Sequence, residues 1–263
     1  MTHIIAVAGK KQSGKNTSAN HLHGRVLKNL GSISDFALST TGELQIETVN
    51  AEGVKGWGHL DINRKDDQFV NYAEANIWPY VKVYGFADAL KQLCVELFDI
   101  PSINVWGTDD DKNVVMPHLL WENMPGITPR KSRGKAKSPY PTSGPMTARQ
   151  FLQYFGTEVM RKMYGDIWAN YLVKQIAREG SDLAIIADMR FPNEVESVLK
   201  VGGTVVRLTR DIFHDQHESE VALDPQNFDQ SKFTYVVDND GPDYSIGDLC
   251  TDLDKIYREI TQK

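Results

Sequence analysis

An apolar run from His3 to Ala8 stops at Gly9, and after a short turn Ala19, Leu22, Val26, Leu27 and Leu30 recur at helical spacing. A strand that feeds a helix through a tight turn opens a βαβ unit, whose next parallel strand must be reached by a crossover helix. The rest of the chain keeps that rhythm. Val81 to Phe86 reads as a strand and Ala87 to Phe98 as a helix with Leu90, Leu93, Cys94 and Leu97 on one face. A helix over Asp166–Arg178 follows, with Ile167, Trp168, Tyr171, Leu172 and Ile176 at helical spacing and Gly180 at its end. Leu183 to Ala187 is a continuous apolar run ending at Asp188, the pattern of a strand buried on both faces of a parallel sheet. Helix Pro192–Val201, strands Thr204–Thr209 and Phe233–Val237, and helix Tyr244–Ile260 complete the order. The expectation is an α/β chain with a mainly parallel sheet covered by helices on both faces.

Two stretches interrupt the alternation. Residues 32–80 are polar and irregular, with one hairpin signal at Thr41-Gly42 flanked by Phe36, Leu38, Leu44, Ile46 and Val49. They read as an insertion after the first helix, without legible chemistry. Residues 101–145 hold seven of the eleven prolines and read as loop-rich, a candidate lid. Thr147, with Gln150 three residues on, makes a capping box for a helix bearing Ala148, Phe151, Leu152 and Phe155, which Gly156-Thr157 is expected to break. No linker divides the chain, so residues 1–263 read as one domain.

Charge narrows the partners. The 29 Lys+Arg against 35 Asp+Glu give a net charge of −6, yet Asn123 to Thr157 carries six cations and no acid. The stretch from Asp211 to Lys263 has thirteen acids and four bases, which argues against a surface built to lie on a nucleic-acid backbone. A small local anion is the more economical ligand. The absence of a long apolar run or a signal-peptide pattern argues against membrane spanning and secretion, so a cytoplasmic protein is expected. Two cysteines, Cys94 and Cys250, make no disulfide or metal framework and read as inert thiols.

The chemistry begins at Gly9-Lys10-Lys11-Gln12-Ser13-Gly14-Lys15-Asn16-Thr17, between the first strand and the first helix. This is a P-loop: its amides and the helix N-terminus cradle phosphate oxygens, and its lysine reaches the outer phosphates. Asn16 stands where a Ser or Thr usually meets magnesium, and Thr17 follows one place later. A second block, Asp188-Met-Arg190-Phe-Pro-Asn-Glu194, sits at the carboxyl end of the buried strand, where open α/β sheets place ligands. Its aspartate suits a metal-bound water or a substrate group and its arginine a phosphate; the competing reading is a strand-end ion pair. In a third block Arg149, Gln153, Gly156, Thr157, Arg161 and Trp168 are candidates to line a cleft, although tryptophan at such spacing more often packs a core. The cations from Arg130 to Lys137 read equally as lid or solvated loop. His214 and His217-Glu218 lack an identifiable third metal ligand.

Taken together, these blocks resemble the deoxynucleoside monophosphate kinases of large tailed bacteriophages. Phe86-Ala-Asp-Ala-Leu-Lys91, Thr147-Ala-Arg-Gln-Phe-Leu-Gln-Tyr-Phe-Gly-Thr157, His217-Glu-Ser-Glu220 and Asp238-Asn-Asp-Gly241 extend the likeness. The resemblance implies a three-layer P-loop NTPase fold and ATP-dependent phosphorylation of a deoxynucleoside 5'-monophosphate to the diphosphate, with magnesium. It implies Gly9, Gln12, Ser13, Gly14, Lys15, Asn16 and Thr17 at ATP, and Thr17 with Asn16 at magnesium. Lys11, Arg149 and Arg190 would meet the phosphates being joined, with Lys15, Arg149 and Arg190 catalytic. Gln153, Gly156, Thr157, Trp168, Asp188 and Glu194 would hold the acceptor, with Arg161, Arg210 and the 130–137 cations as lid candidates. A phage-encoded enzyme would work in the host cytoplasm, with nucleotides rather than nucleic acid or membrane as partners. A different P-loop small-molecule kinase and a nucleotide-binding switch remain alternatives. The accepted bases, ribose discrimination and a homodimer stay open.

Overall fold

The first strand, β1 (His3–Ala8), shows why the sheet is buried on both sides. Ile5 and Val7 pack into one core cluster, while Ile4, Ala6 and Ala8 pack into another. Alternate side chains of a strand face opposite ways, so an unbroken apolar run requires cover on both faces. The computed structural model describes residues 2–49, 52–64, 66–127, 140–213 and 218–261, and they fall into two compact units.

The first unit spans Met1–Phe86 and Ala169–Lys263. Helix α1 (Lys15–Asn29) follows β1, and strand β2 (Phe36–Leu38) pairs antiparallel with β3 (Leu44–Val49), which pairs with β4 (Lys55–His59). The expected hairpin at Thr41-Gly42 is therefore present. The rest of the insertion is more ordered than its polar sequence suggested, because Asp66 caps a further helix, α2 (Asp67–Asn76), by accepting from the Phe69 N–H at 3.0 Å. Strand β5 (Val81–Tyr84) follows.

Helix α3 (Asp88–Phe98), short helices α4 (Ser102–Trp106) and α5 (Asp109–Lys112), strands β6 (Val115–Leu120) and β7 (Pro145–Thr147), and helix α6 (Ala148–Gln153) belong to the second unit, Ala87–Trp168. Within 101–145, expected to be loop-rich, the described residues form short helices and a two-stranded ribbon, while 128–139 lie outside the described residues. Pro117 and Pro145 are tolerated because their two-stranded antiparallel ribbon consists of edges, and Met116, Leu119 and Met146 are buried. Gly156-Thr157 does not break the helix after Thr147 either. The capping box of Thr147 and Gln150 forms as expected, but the helix widens into a π-helical segment over Tyr154–Arg161. A Cβ on Gly156 would lie 2.5 Å from Leu90 Cδ2, so its absence serves close packing on α3.

Helix α7 (Ile167–Glu179), strand β8 (Leu183–Met189), helix α8 (Pro192–Lys200), strand β9 (Thr204–Leu208), the single turn α9 (Glu218–Val221), strand β10 (Tyr235–Val237) and helix α10 (Ile246–Thr261) complete the chain. The main sheet is five-stranded with order β10-β9-β1-β8-β5, parallel throughout. Leu22 and Val26 of α1, Phe69 of α2 and Leu253 of α10 cover the Ile5 face. Leu172 and Ile176 of α7 with Val195 and Val198 of α8 cover the other. The α/β three-layer expectation is borne out. Among the described residues, no helix is long and apolar enough to cross a membrane.

Candidate active site

The carboxyl end of β1 is flanked by β8 and β9, so its loop, the end of β8 and the segment after β9 converge. A cavity of about 750 Å³ opens there, lined by residues 11–17 together with Asp188, Arg190, Arg210, Asn239 and Tyr244. Gly14 has φ 104°, a left-handed conformation that glycine adopts without strain, and hands the loop into α1. The Lys15 side chain folds back under the loop, donating to the carbonyls of Gly9 at 2.7 Å and Lys10 at 2.6 Å. Burial pushes its pKa down to about 7, Arg190 adds to the depression, and Asp188 opposes it. Ser13 Oγ is buried and has no hydrogen-bond partner among the described residues.

Side chains from remote segments brace the loop. Asn239 Nδ2 donates to Ser13 O at 2.8 Å while its Oδ1 accepts from the Arg210 N–H at 2.9 Å. The Lys11 N–H donates to Glu220 Oε2 at 2.6 Å. Lys10 is paired with Asp211 at 2.7 Å and Asp224 at 3.0 Å; burial lowers its pKa, but these carboxylates outweigh that and leave it raised. Lys11 itself is exposed, its ammonium 5.6 Å from the Phe213 ring centre.

On the β8 side, Asp188 Oδ1 accepts from the Phe86 N–H at 3.0 Å. Arg190 lines the cavity and pairs with Glu220. Glu194, 2% exposed, accepts from the Arg190 N–H at 2.8 Å and the Phe191 N–H at 3.1 Å. Those bonds fix the turn that presents Arg190, in the manner of an acidic residue closing a helix start. Gln12, Gly14, Lys15, Asn16 and Thr17 therefore share one cavity with Lys11, Asp188 and Arg190.

The insertion contributes what its sequence did not reveal. Thr40 and Thr41 line the cavity, and Gly42, at φ 81°, lies so close to α1 that a Cβ would come within 2.2 Å of Thr17 Oγ1. Asn20 Nδ2 holds the Gly42 carbonyl at 2.8 Å. A glycine beside a threonine-rich turn was the only local signal.

The other sequence candidates lie in the second unit. Arg149, in the first turn of α6, pairs with Asp109 at 2.6 Å and donates through Nε to Asn113 at 3.2 Å. Gln153 and Thr157 are exposed. Trp168 is only 5% exposed within that unit's core, its Nε1 donating to Gly156 O at 3.3 Å, so it packs as most tryptophans at such spacing do. The cations at 130–137 and the pair His214 and His217 lie outside the described residues. Cys94 is buried and Cys250 partly so, and burial pushes the Cys94 thiol up to about 12 and that of Cys250 to about 11, which disfavours the thiolate at both.

A family model described as "Deoxynucleotide monophosphate kinase" matches residues 132–249, a span that holds the Asp188–Glu194 block and Glu220 but not the 9–17 loop. The resemblance to these kinases is borne out. A putative deoxynucleotide monophosphate kinase of Acanthamoeba polyphaga mimivirus is 29% identical over 53% of this chain and 67% of its own length. The deoxynucleoside-5'-monophosphate kinase of Escherichia phage T5 is 42% identical over 19% of this chain and 21% of its own length. These likenesses bear out the expectation of an enzyme of the kinase class. The family match omits residues 9–17, while the structure brings residues 11–17 together with Arg190 in one cavity.

Proposed function

We propose that the chain transfers the terminal phosphoryl group of ATP to a deoxynucleoside 5'-monophosphate, giving ADP and the diphosphate, and so supplies precursors for phage DNA synthesis. The observation that carries this reading is a single cavity lined by both the P-loop lysine, Lys15, and Arg190. An acceptor phosphate oxygen attacks the terminal phosphorus as the bond to the ADP oxygen breaks. That oxygen is already ionised near neutral pH, so no general base is needed and the protein's work is positioning and charge neutralisation. A site rich in Lys and Arg without a reactive Cys suits that task.

Lys15 and the loop amides are assigned to the ATP phosphates, with Ser13 Oγ as a further donor because it is buried without a partner among the described residues. Lys11 and Arg190 meet the phosphates being joined, and Asp188 the acceptor side. By the family likeness Arg149 joins them, and Gln153, Gly156, Thr157, Trp168 and Glu194 belong to acceptor binding, Gly156, Trp168 and Glu194 through the shape they give their elements. Magnesium takes hard oxygen ligands, usually one or two carboxylates plus substrate phosphates. Thr17, Asn16 and Asp188, all on the cavity, fit that donor set and would hold it. When bound, the ion neutralises charge developing on the phosphates. Arg161, Arg210 and the 130–137 cations are lid candidates, since water must be excluded at transfer.

The test is ATP turnover with magnesium in the presence of each of the four deoxynucleoside monophosphates, their ribonucleotide counterparts, or no acceptor. ADP and a deoxynucleoside diphosphate formed only when a monophosphate is present is the expected result. ATP binding without phosphorylation of any monophosphate would overturn the reading in favour of a switch or a kinase for another small molecule.

A further inference from the structure

Among the described residues Glu220 holds both the Lys11 N–H and Arg190, a role that its place in the His217-Glu-Ser-Glu220 block does not by itself reveal. It sits on the single turn α9 with a side chain only 7% exposed. Oε2 accepts from the Lys11 N–H at 2.6 Å, and Oε1 accepts from Nη1 of Arg190. Two roles are open to a carboxylate held between two phosphate-seeking donors. It either occupies the anion position and must be displaced, or stands behind the donors and aims them. The cavity decides between them. Lys11 and Arg190 line it and Glu220 does not; the Arg190 side chain is 30% exposed while its partner is almost wholly covered.

We infer that Glu220 is a positioning residue that ties Arg190 to the P-loop backbone and so fixes the distance between the acceptor's arginine and the bound ATP. This rests on the proposed phosphoryl transfer. An arginine side chain has many rotamers, and a charge-assisted bond to a buried carboxylate removes that freedom before substrate arrives. The second bond matters as much as the first. By anchoring the same carboxylate on the Lys11 amide, the chain references Arg190 to the loop that holds the phosphoryl donor, and misplacement by about 1 Å in such a geometry costs about a hundredfold in rate. Asp211 and Asp224 hold Lys10 from the same side, which keeps the segment after β9 docked on the loop.

Glu220→Gln preserves size, but its amide offers only one acceptor to two donors. We expect kcat/KM for the deoxynucleoside monophosphate to fall about tenfold or more, while the dissociation constant for ATP moves less than about threefold. In an Arg190→Lys background, which retains a charge without the planar fork, the same change should cost less than about threefold further, because a residue acting through Arg190 has little left to lose. Losses that multiply across the two backgrounds would overturn the inference, as would full turnover by Glu220→Gln. A readout free of turnover is the Arg190 side-chain N–H resonance by NMR, expected to be slowly exchanging in the wild type and lost in Glu220→Gln. A resonance that persists in Glu220→Gln, or that exchanges fast in the wild type, also overturns it. Glu220→Asp, one methylene shorter, serves if the glutamine variant does not fold, and the same outcomes apply. A wild-type protein that phosphorylates no monophosphate yet shows the protected resonance would overturn the functional reading and leave the strut standing.

Discussion

Two arginines assigned to the same phosphates are held in opposite ways. Arg190 is framed by a nearly buried carboxylate that also accepts from the Lys11 N–H, whereas Arg149 pairs with Asp109, whose side chain is 68% exposed. The first arrangement spends its ordering cost during folding; the second leaves an arginine whose partner competes with water and salt. Exposed pairs contribute about 0–1 kcal/mol, while removing a partner from a buried pair costs several times more. Arg190, beside the loop at residues 9–17, is therefore the more pre-organised of the two, and Arg149 on α6 the more adaptable.

The largest expected effect tests that contrast. Arg190→Ala should lower kcat/KM for the acceptor by about 10²–10³-fold, the scale of losing one pre-organised donor at a charged transition state, with ATP binding nearly intact. Arg149→Ala should cost about tenfold under the same steady-state assay. Equal losses would break the comparison, and retained turnover in Arg190→Ala would end the acceptor assignment.

A second contrast concerns acid. His23 in α1 is buried, its Nδ1 has no partner among the described residues, and burial pushes its pKa down to about 4. The unfolded chain titrates this group near 6.5, so between those values the unfolded state binds the extra proton. Stability is fully present above about pH 6.5 and falls as pH drops toward 4, by up to about 3 kcal/mol for this residue. Hydrogen exchange followed by mass spectrometry at pH 5 and pH 7.5 should show α1 losing protection in acid, and His23→Leu should flatten that dependence. Acid sensitivity unchanged in His23→Leu would assign the effect to other groups.

The same physics governs Lys15 at alkaline pH. Its pKa of about 7 in the free protein means that much of it is neutral at pH 8, and a polyanion beside it restores the proton. ATP affinity should fall by up to about tenfold per pH unit above 7, and calorimetry in buffers of differing ionisation heat should record the uptake of about one proton near pH 8.5. Binding without proton uptake would show that Lys15 stays charged before ATP arrives.

What could be read from the sequence follows the range of the interactions. Residues 3–17 declare a strand, a loop and a helix because each signal is local: an apolar run, glycines at fixed places, a 3.6-residue stripe. Asp188 and Arg190 are legible because strand ends in parallel sheets are where ligands gather. The blocks that hold Glu220 and Asn239 are legible too, but their bracing role is not, since Glu220 reaches Lys11 across 209 positions and Asn239 reaches Ser13 across 226. Gly42 beside Thr17 is invisible for the same reason. Gly156 misled in the other direction, because a glycine admitted for close packing on Leu90 has the same letter as a glycine that ends a helix.

The smallest expected effect sharpens the comparison most directly. If Arg149 meets the acceptor phosphate, it must give up Asp109, and the free enzyme's ion pair then opposes binding by its own modest strength. Asp109→Asn leaves a neutral group of the same size and removes that competition, so the KM for the deoxynucleoside monophosphate should fall by about two- to fivefold, the equivalent of about 0.5–1 kcal/mol for an exposed pair. Added salt should shrink the difference between variant and wild type, because it screens the pair in the wild type alone. A KM that instead rises in Asp109→Asn would mean that the exposed aspartate aims Arg149 much as Glu220 aims Arg190, and the two arginines would differ in their partners' burial but not in design.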